Sequence, residues 1–104
     1  AILSKVDLSR SFLVKANLRK AKLRQALLEG VDLSGANLSE AVLRKAVLSG
    51  AILTKANLTG ADLKGTDLTD VDLSQAKLKK GDVAQAILCR TQLPWGEENG
   101  SCKQ

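Results

Sequence analysis

The chain has 104 residues and a formal net charge of +5, and it contains no histidine, tyrosine or methionine. The usual general base and imidazole metal ligand are therefore absent, and no glycine-rich phosphate loop or nucleophile elbow occurs, so we predict no enzymatic activity, metal or cofactor. No apolar run approaches the ~20 residues that span a bilayer, so we expect a soluble chain. Ala1 stands inside a repeat without a signal peptide, which suggests a processed or trimmed N-terminus.

A five-residue pattern runs from residue 3 to residue 93. Each of its nineteen inner positions is leucine except Val83, and the residue two before it is small, alanine in twelve cases. A helix would spread these leucines around its circumference. A flat strand would point successive leucines to opposite faces. The pattern therefore predicts a coil in which each five-residue side ends in a turn and directs its leucine to a common axis.

The sequence also indicates how many five-residue sides make up one turn of the coil. A twenty-residue period contains four small positions, one for each five-residue unit. Residues other than alanine occur at only two of these four, with the single exception of Gly81. Asparagine recurs with the same period at Asn17, Asn37 and Asn57. Residues stacked in successive coils share one local space requirement, so these periods predict four sides per coil. Stacked leucines spaced by about 4.8 Å would then form a continuous core.

Units such as "ANLTG", "ADLKG" and "VDLSQ" resemble the pentapeptide-repeat family, whose pattern A-(D/N)-L-X-X builds a right-handed quadrilateral β-helix. The resemblance implies an all-β solenoid of four pentapeptides per 20-residue coil and about 4.5 coils. It implies a repeat domain over residues 1–95 and a C-terminal capping tail over residues 96–104. The family pattern describes a scaffold, so the resemblance is informative about fold and much less so about function.

Charge is unevenly distributed over the predicted sides. The side that contains residues 21–25 and 41–45 carries a net +4, as does the side before it, whereas the side after it carries −2. The candidate basic surface consists of Lys22, Arg24, Arg44, Lys45, Lys64, Arg19 and Lys20. It would attract a polyanion, an anionic membrane surface or an acidic protein. Specific nucleic-acid binding is not expected, because no aromatic residue is interleaved with the cations; a merely solvated face is the alternative.

The outward second position of each unit suggests two further hypotheses. Apolar side chains there form a candidate contact surface for a protein partner, with scattered exposed aliphatics as the alternative. Its residues are Leu27, Val42, Val47, Ile52 and Phe12. We expect Leu27 to stack next to Val47, and the patch to be contiguous with Phe12 and Ile52 on the neighbouring side. Acidic side chains at the same position include Asp62 and Asp82, which we expect to stack. A calcium site is conceivable there, but local hydrogen bonds to the backbone are the favoured interpretation.

The tail "CRTQLPWGEENGSCKQ" departs from the repeat. Pro94 and Trp95 are poor continuations of a coil, so we interpret Trp95 as a lid over the terminal leucines. A turn through "GEENGS" would return the chain to Cys89, and we predict a disulfide between Cys89 and Cys102. Two free thiols in a reducing cytosol are the alternative. Similar cysteine-bearing tails occur in cyanobacterial and chloroplast members of the family, which favours the thylakoid lumen or periplasm over the cytoplasm.

Together these features predict a noncatalytic scaffold that binds an unidentified protein partner. The alternative is a module that binds a polyanion or an anionic membrane surface through its two basic sides. Mimicry of DNA, known from the gyrase-protecting quinolone-resistance branch of the family, requires an acidic surface and is disfavoured by the net charge of +5.

Overall fold

The backbone forms a coil with a period of twenty residues. The computed structural model describes residues 3–100. Thirteen parallel bridges lie within this range outside the named strands, and each joins residues twenty apart. Leu43 donates its N–H to the Asp62 carbonyl at 2.8 Å, and Asp62 donates to the Ala41 carbonyl at 2.8 Å. This pairing satisfies backbone groups between coils, as the repeat predicts.

A tight turn separates one five-residue side from the next. The Ala46 N–H donates to the Leu43 carbonyl at 3.0 Å, and Lys45, at the fifth position of the unit, has φ of 59°. The third residue of a type II turn requires such a positive φ, which Gly50 adopts readily at 69°. The coil imposes the same conformation on ten residues other than glycine: Lys5, Arg10, Lys15, Lys20, Gln25, Glu40, Lys45, Lys55, Asp70 and Arg90.

Stacked leucines and small residues fill the interior. Leu43 and Leu48 are completely buried, and the same holds for most leucines between residues 23 and 73. Where threonine replaces alanine at the small position, its hydroxyl finds a carbonyl acceptor. Thr66 Oγ1 donates to the Leu43 carbonyl at 2.5 Å, and Thr91 Oγ1 to that of Leu68 at 2.8 Å. The leucines of the first coil are only half-buried.

The last part of the described chain contains its named elements: a 3₁₀ helix, η1 (Lys80–Val83), and two strands, β1 (Thr91–Leu93) and β2 (Gly96–Glu98). The strands form an antiparallel hairpin in which Thr91 faces Glu98 and Leu93 faces Gly96. The predicted reversal through "GEENGS" is therefore wrong, since the chain already turns at Pro94 and Trp95. The division into residues 1–95 and 96–104 stays a prediction.

The regular secondary structure is mainly β, which agrees with the predicted all-β class. Among residues 3–100 there is no α-helix, and apart from η1 the regular structure consists of bridges and strands. Within the same range no helix is long and apolar enough to cross a membrane. Each coil side is a minimal strand whose alternate residues face the core and the solvent.

The inward and outward assignment predicts opposite outcomes for two adjacent substitutions. Leu48→Asn leaves an unpaired amide and a cavity among stacked leucines, and should lower the free energy of unfolding by about 3–5 kcal/mol. Val47→Asn should change it by less than about 1 kcal/mol, because asparagine at this position can accept the N–H two residues ahead. Urea denaturation measures both; equal losses would contradict the assignment.

Candidate anion-binding groove

Three cations of the predicted basic surface, Arg24, Arg44 and Lys64, occupy the fourth position of their five-residue units on the same side of three successive coils. The register is set by the backbone, since Gln25 donates its N–H to the Arg44 carbonyl at 2.9 Å and Lys45 donates to that of Lys64 at 3.0 Å. The side chains of this row line a groove of about 370 Å³. Its lining consists of Arg24, Arg44, Lys45, Lys64, Gly65 and Gln85. Four of the seven basic residues singled out in the sequence are thus brought together.

The other three basic residues, Arg19, Lys20 and Lys22, are not among those that line the groove. Arg19 Nη2 donates to Glu40 Oε2 at 3.0 Å, in an ion pair whose side chains are both about half exposed. Such a pair contributes little to stability. Lys20 and Lys22 are exposed, and Lys22 stacks next to Val42. The groove therefore takes in only part of the predicted basic surface.

Asp62 links two coils beside the groove. Arg44 Nε donates to Asp62 Oδ2 at 2.6 Å, and the Lys64 N–H donates to Oδ1 at 3.2 Å. Burial raises the pKa of Asp62, but the hydrogen bond from Arg44, the Lys64 N–H and the positive charges of both residues outweigh it and lower the pKa. The carboxylate stays ionised and holds the Arg44 guanidinium in place. Among residues 3–100, Arg24, Lys45 and Lys64 have no such ion pair.

The acidic and amide residues of the second position bind their own backbone. Asp32 Oδ1 accepts the Ser34 N–H at 3.1 Å and the Ser34 hydroxyl at 2.7 Å. The same contact to the N–H two residues ahead is made by Asp7, Asn17, Asn37, Asn57, Asp62, Asp67 and Asp72. The favoured interpretation of local hydrogen bonding is confirmed for these residues.

The expected stack of Asp82 on Asp62 is wrong. No bridge joins the two, because the Asp82 N–H donates to the Lys79 carbonyl at 3.0 Å inside η1. Asp82 instead accepts the Lys79 N–H at 2.9 Å and so closes the start of η1. In the part of the chain that the structure describes, no cluster of His, Cys, Asp or Glu could hold a metal ion.

The predicted apolar surface is divided among separate columns of residues. Leu27 stacks on Val47, as expected. Phe12 and Ile52 are separated by Asp32, which pairs with both, so the predicted contiguity of these two residues is wrong. Val42 in turn lies between Lys22 and Asp62. Polar neighbours break the apolar residues into small groups, although Phe12 is 85% exposed.

The C-terminal hairpin lies against the last coils. Trp95 is half-buried and packs against the core, with Lys80 Nζ 5.8 Å from its ring centroid, while Pro94 is exposed at the turn. Cys89, the one cysteine among residues 3–100, is buried and is not a free thiol. Cys102 lies outside the described residues, so the disulfide stays a prediction.

Sequence reasoning missed two features near the groove. One is the contact of Arg44 with Asp62, for which the signal is a cation at the fourth position and a carboxylate eighteen residues ahead, at the second position of the next coil. The other is η1. Its signal lies in "KGDVA", where Val83 replaces leucine and Gly81 replaces a small side chain.

The five-residue repeat agrees with the comparisons to known proteins. The family model described as pentapeptide repeats matches residues 1–39, 32–70 and 66–95, in eight copies. The chain therefore belongs to the pentapeptide repeat family. Proteins of this family fold as right-handed quadrilateral β-helices and are generally noncatalytic scaffolds. No curated protein sequence matches the chain significantly.

Three solved structures show the likeness most directly. A pentapeptide repeat protein of the Arabidopsis thaliana thylakoid lumen is 34% identical, with a TM-score of 0.72, over 74% of this chain and 53% of its own. HetL, involved in heterocyst differentiation regulation in the cyanobacterium Nostoc, is 30% identical, with a TM-score of 0.82, over 91% and 48%. Another Nostoc pentapeptide repeat protein is 39% identical, with a TM-score of 0.66, over 89% and 76%. The chain spans about half the length of the first two.

The hydrogen-bonded carboxylates predict a loss of stability in acid. The Ser34 hydroxyl and N–H lower the pKa of Asp32 below its ordinary 3.8, and Ser74 lowers that of Asp72 in the same way. Because the folded pKa lies below the unfolded value, this stabilisation is complete above about pH 4 and is lost as the pH falls through the lowered pKa. Urea midpoints at pH 7 and pH 3 measure the loss.

A double variant provides the matched control for this pH dependence. Asp32→Asn with Asp72→Asn keeps an acceptor for the same N–H groups, as Asn37 does for Ser39 at 3.0 Å. Its urea midpoint should change little at pH 7 and fall less between pH 7 and pH 3 than that of the unmodified protein. An identical fall in both proteins would exclude these two carboxylates as its cause.

Proposed function

We propose that the protein is a noncatalytic interaction scaffold that binds an acidic protein partner in the groove of Arg24, Arg44, Lys45 and Lys64. The observation that carries the proposal is the convergence of these four cations on one groove, where Asp62 is their only ion-pair partner among residues 3–100. We propose for the scaffold the right-handed solenoid of about 4.5 coils that the family resemblance implies.

The rigidity of the coil suits a binding surface. Backbone hydrogen bonds between coils set the positions of Arg24, Arg44 and Lys64 before any partner arrives, so little backbone entropy is lost on binding. Asp62 restrains the Arg44 guanidinium in advance. The free lysine ammonium groups adapt to irregular carboxylate positions, because they are compact charges on flexible stems.

A module for polyanions or anionic membrane surfaces is the second candidate, supported by the same net positive groove. Charge alone attracts all of these partners, so salt dependence is shared among them. The candidate apolar surface contributes less to the proposal, because only Leu27 and Val47 are neighbours in one column. We therefore treat that pair as an adjunct contact and not as the principal interface.

For the compartment we propose the thylakoid lumen or periplasm, with the cytoplasm as the alternative. A structural neighbour from the thylakoid lumen supports this compartment. So does the proposed disulfide between Cys89 and Cys102, which requires an oxidising environment. The hairpin register suits the bridge, because the Arg90 N–H donates to Asn99 Oδ1 at 2.8 Å and the returning chain thus lies beside Cys89.

The first test of the proposed function is charge reversal within the groove. Glutamate at Arg24, Lys45 and Lys64 reverses three cations and leaves the Arg44–Asp62 pair intact. Binding of a fluorescent deca-glutamate peptide, measured by anisotropy at low salt, should weaken at least roughly tenfold. The matched control reverses Lys15, Lys55 and Lys77, which are exposed and lie outside the groove. Equal weakening in both variants would reject the groove as the site.

The same two variants distinguish the candidate partners. If heparin oligosaccharides of equal charge bind the unmodified protein more tightly than the peptide, and only the groove variant loses them, the polyanion alternative replaces the protein partner. Peptide binding that exceeds heparin binding supports the proposed partner.

A second prediction concerns the bridge. The oxidised protein should be two hydrogens lighter by intact mass than the reduced one, and closure of a loop of this length stabilises by about 3 kcal/mol in the chain-entropy model. A solenoid unfolds from its ends, so reduction should speed hydrogen exchange at the hairpin before the central coils. Two alkylatable thiols in protein trapped in its native compartment would reject both the bridge and the proposed compartment.

A further inference from the structure

On the side that contains residues 61–65, no bridge pairs Asp62 with Asp82, although the two neighbouring sides carry the bridges Asn57–Lys77 and Asp67–Ile87. In the coil before this side, the Leu43 N–H and the Ala41 carbonyl pair with the backbone of Asp62, each at 2.8 Å. One coil further, the equivalent groups are the Leu63 N–H and the Ala61 carbonyl. Neither has a hydrogen-bond partner in the part of the chain that the structure describes.

The cause of the interruption is η1. Asp82 would supply the missing pair, but its N–H donates to the Lys79 carbonyl at 3.0 Å inside η1. The chain also gains one residue here. Gly65 donates its N–H to the Gln85 carbonyl, twenty residues ahead, whereas Lys45 donates to that of Lys64, nineteen residues ahead. An extra residue opposite a regular strand leaves the ladder open locally, as in a β-bulge.

The open ladder borders a notch of about 290 Å³. Its lining comprises Ala61, Asp62, Leu63, Lys64, Gly81, Asp82, Ala84 and Gln85. Lys64 and Gln85 also line the basic groove, so the notch adjoins the groove. The notch thus offers one backbone donor and one backbone acceptor beside a row of cations.

We propose that the notch is a backbone-pairing site for an extended segment of an acidic protein partner. One residue of that segment donates its N–H to the Ala61 carbonyl and accepts the Leu63 N–H, which repeats the bridge that Asp62 makes in the coil before. Addition of a strand to an open edge is an established mode of peptide recognition. The proposal deepens the proposed function, on which it rests for the acidic character of the partner.

The charges around the notch restrict the segment. Asp62 and Asp82 border the notch itself, so the bridging residue should be small and uncharged. An extended chain advances about 3.3 Å per residue, so acidic residues one or two positions away reach Lys64 and Lys45. The expected ligand therefore has a small residue flanked by glutamate or aspartate, in an extended conformation. A carbohydrate or phosphate polyanion has no peptide N–H and carbonyl in this arrangement.

Amide exchange measured by NMR tests the proposal in the intact protein. The probe is a blocked peptide, Glu-Glu-Gly-Glu-Glu, and its control carries sarcosine in place of glycine, which removes the bridging N–H at constant charge. In the free protein the Leu63 amide should exchange faster than the Leu43 amide. Saturation with the glycine peptide should slow Leu63 exchange at least about tenfold and leave Leu43 unchanged. The sarcosine peptide should bind more weakly and protect Leu63 less.

The outcomes separate this proposal from the proposed function. If the peptide perturbs Lys45 and Lys64 but leaves Leu63 exchange unchanged, the notch is only hydrated, and the backbone pairing is rejected while the groove stands. Equal protection by heparin oligosaccharides or by the sarcosine peptide also rejects it. If Leu63 is protected equally in the variant with Arg24, Lys45 and Lys64 reversed, the pairing stands and the groove is rejected. A Leu63 amide that is already as slow as Leu43 in the free protein contradicts the open ladder.

Discussion

The hydrogen bond between coils is the constraint on which the rest of the structure depends. Each coil places its backbone donors and acceptors opposite residues twenty positions away, so a shift by one residue would turn every leucine out of the core. The turn conformation follows from the same constraint. Lys45 and nine other residues adopt a positive φ that glycine would adopt more easily, at a cost on the order of 1 kcal/mol each. The hydrogen bonds between coils therefore outweigh the preference of these residues for a negative φ.

The sequence predicts the fold well because one physical demand recurs in every unit. The geometry of a single side requires three residue types. Leucine fills the core, a small residue lies where two backbones come close, and Asp or Asn accepts a hydrogen bond from its own backbone. The same five-residue unit occurs nineteen times, so few other folds satisfy the pattern. Even the acidic second position was correctly interpreted, since Asp32 and its equivalents bind the N–H two residues ahead.

The predictions that failed have two different causes. Phe12 and Ile52 share a phase, but contiguity depends on the intervening Asp32, which belongs to the coil between them. Asp82 has the right spacing to stack on Asp62, yet η1 uses its carboxylate as a cap. At the hairpin, Gly96 has φ of 133°, which permits a reversal two residues after Leu93, earlier than composition suggests. The failures at Asp82 and at the hairpin come from nonrepeating contacts that a periodic argument does not contain, whereas the one at Phe12 and Ile52 comes from a regular neighbour in the ladder.

The chemistry of β2 bears on self-association. An open coil edge presents unpaired backbone groups to which further strands can add. Such addition would produce a cross-β stack, because the strands of the coil already have the spacing of a fibril. On the side of β1, that edge is covered by β2, all three residues of which are exposed. Hydrogen bonds from Asn99 and Gln92 lower the pKa of Glu97, so its carboxylate stays charged at neutral pH, next to Glu98. Another strand that paired there would bury these charges or bring like charges together, so the sequence of β2 disfavours the addition of a further strand at this edge.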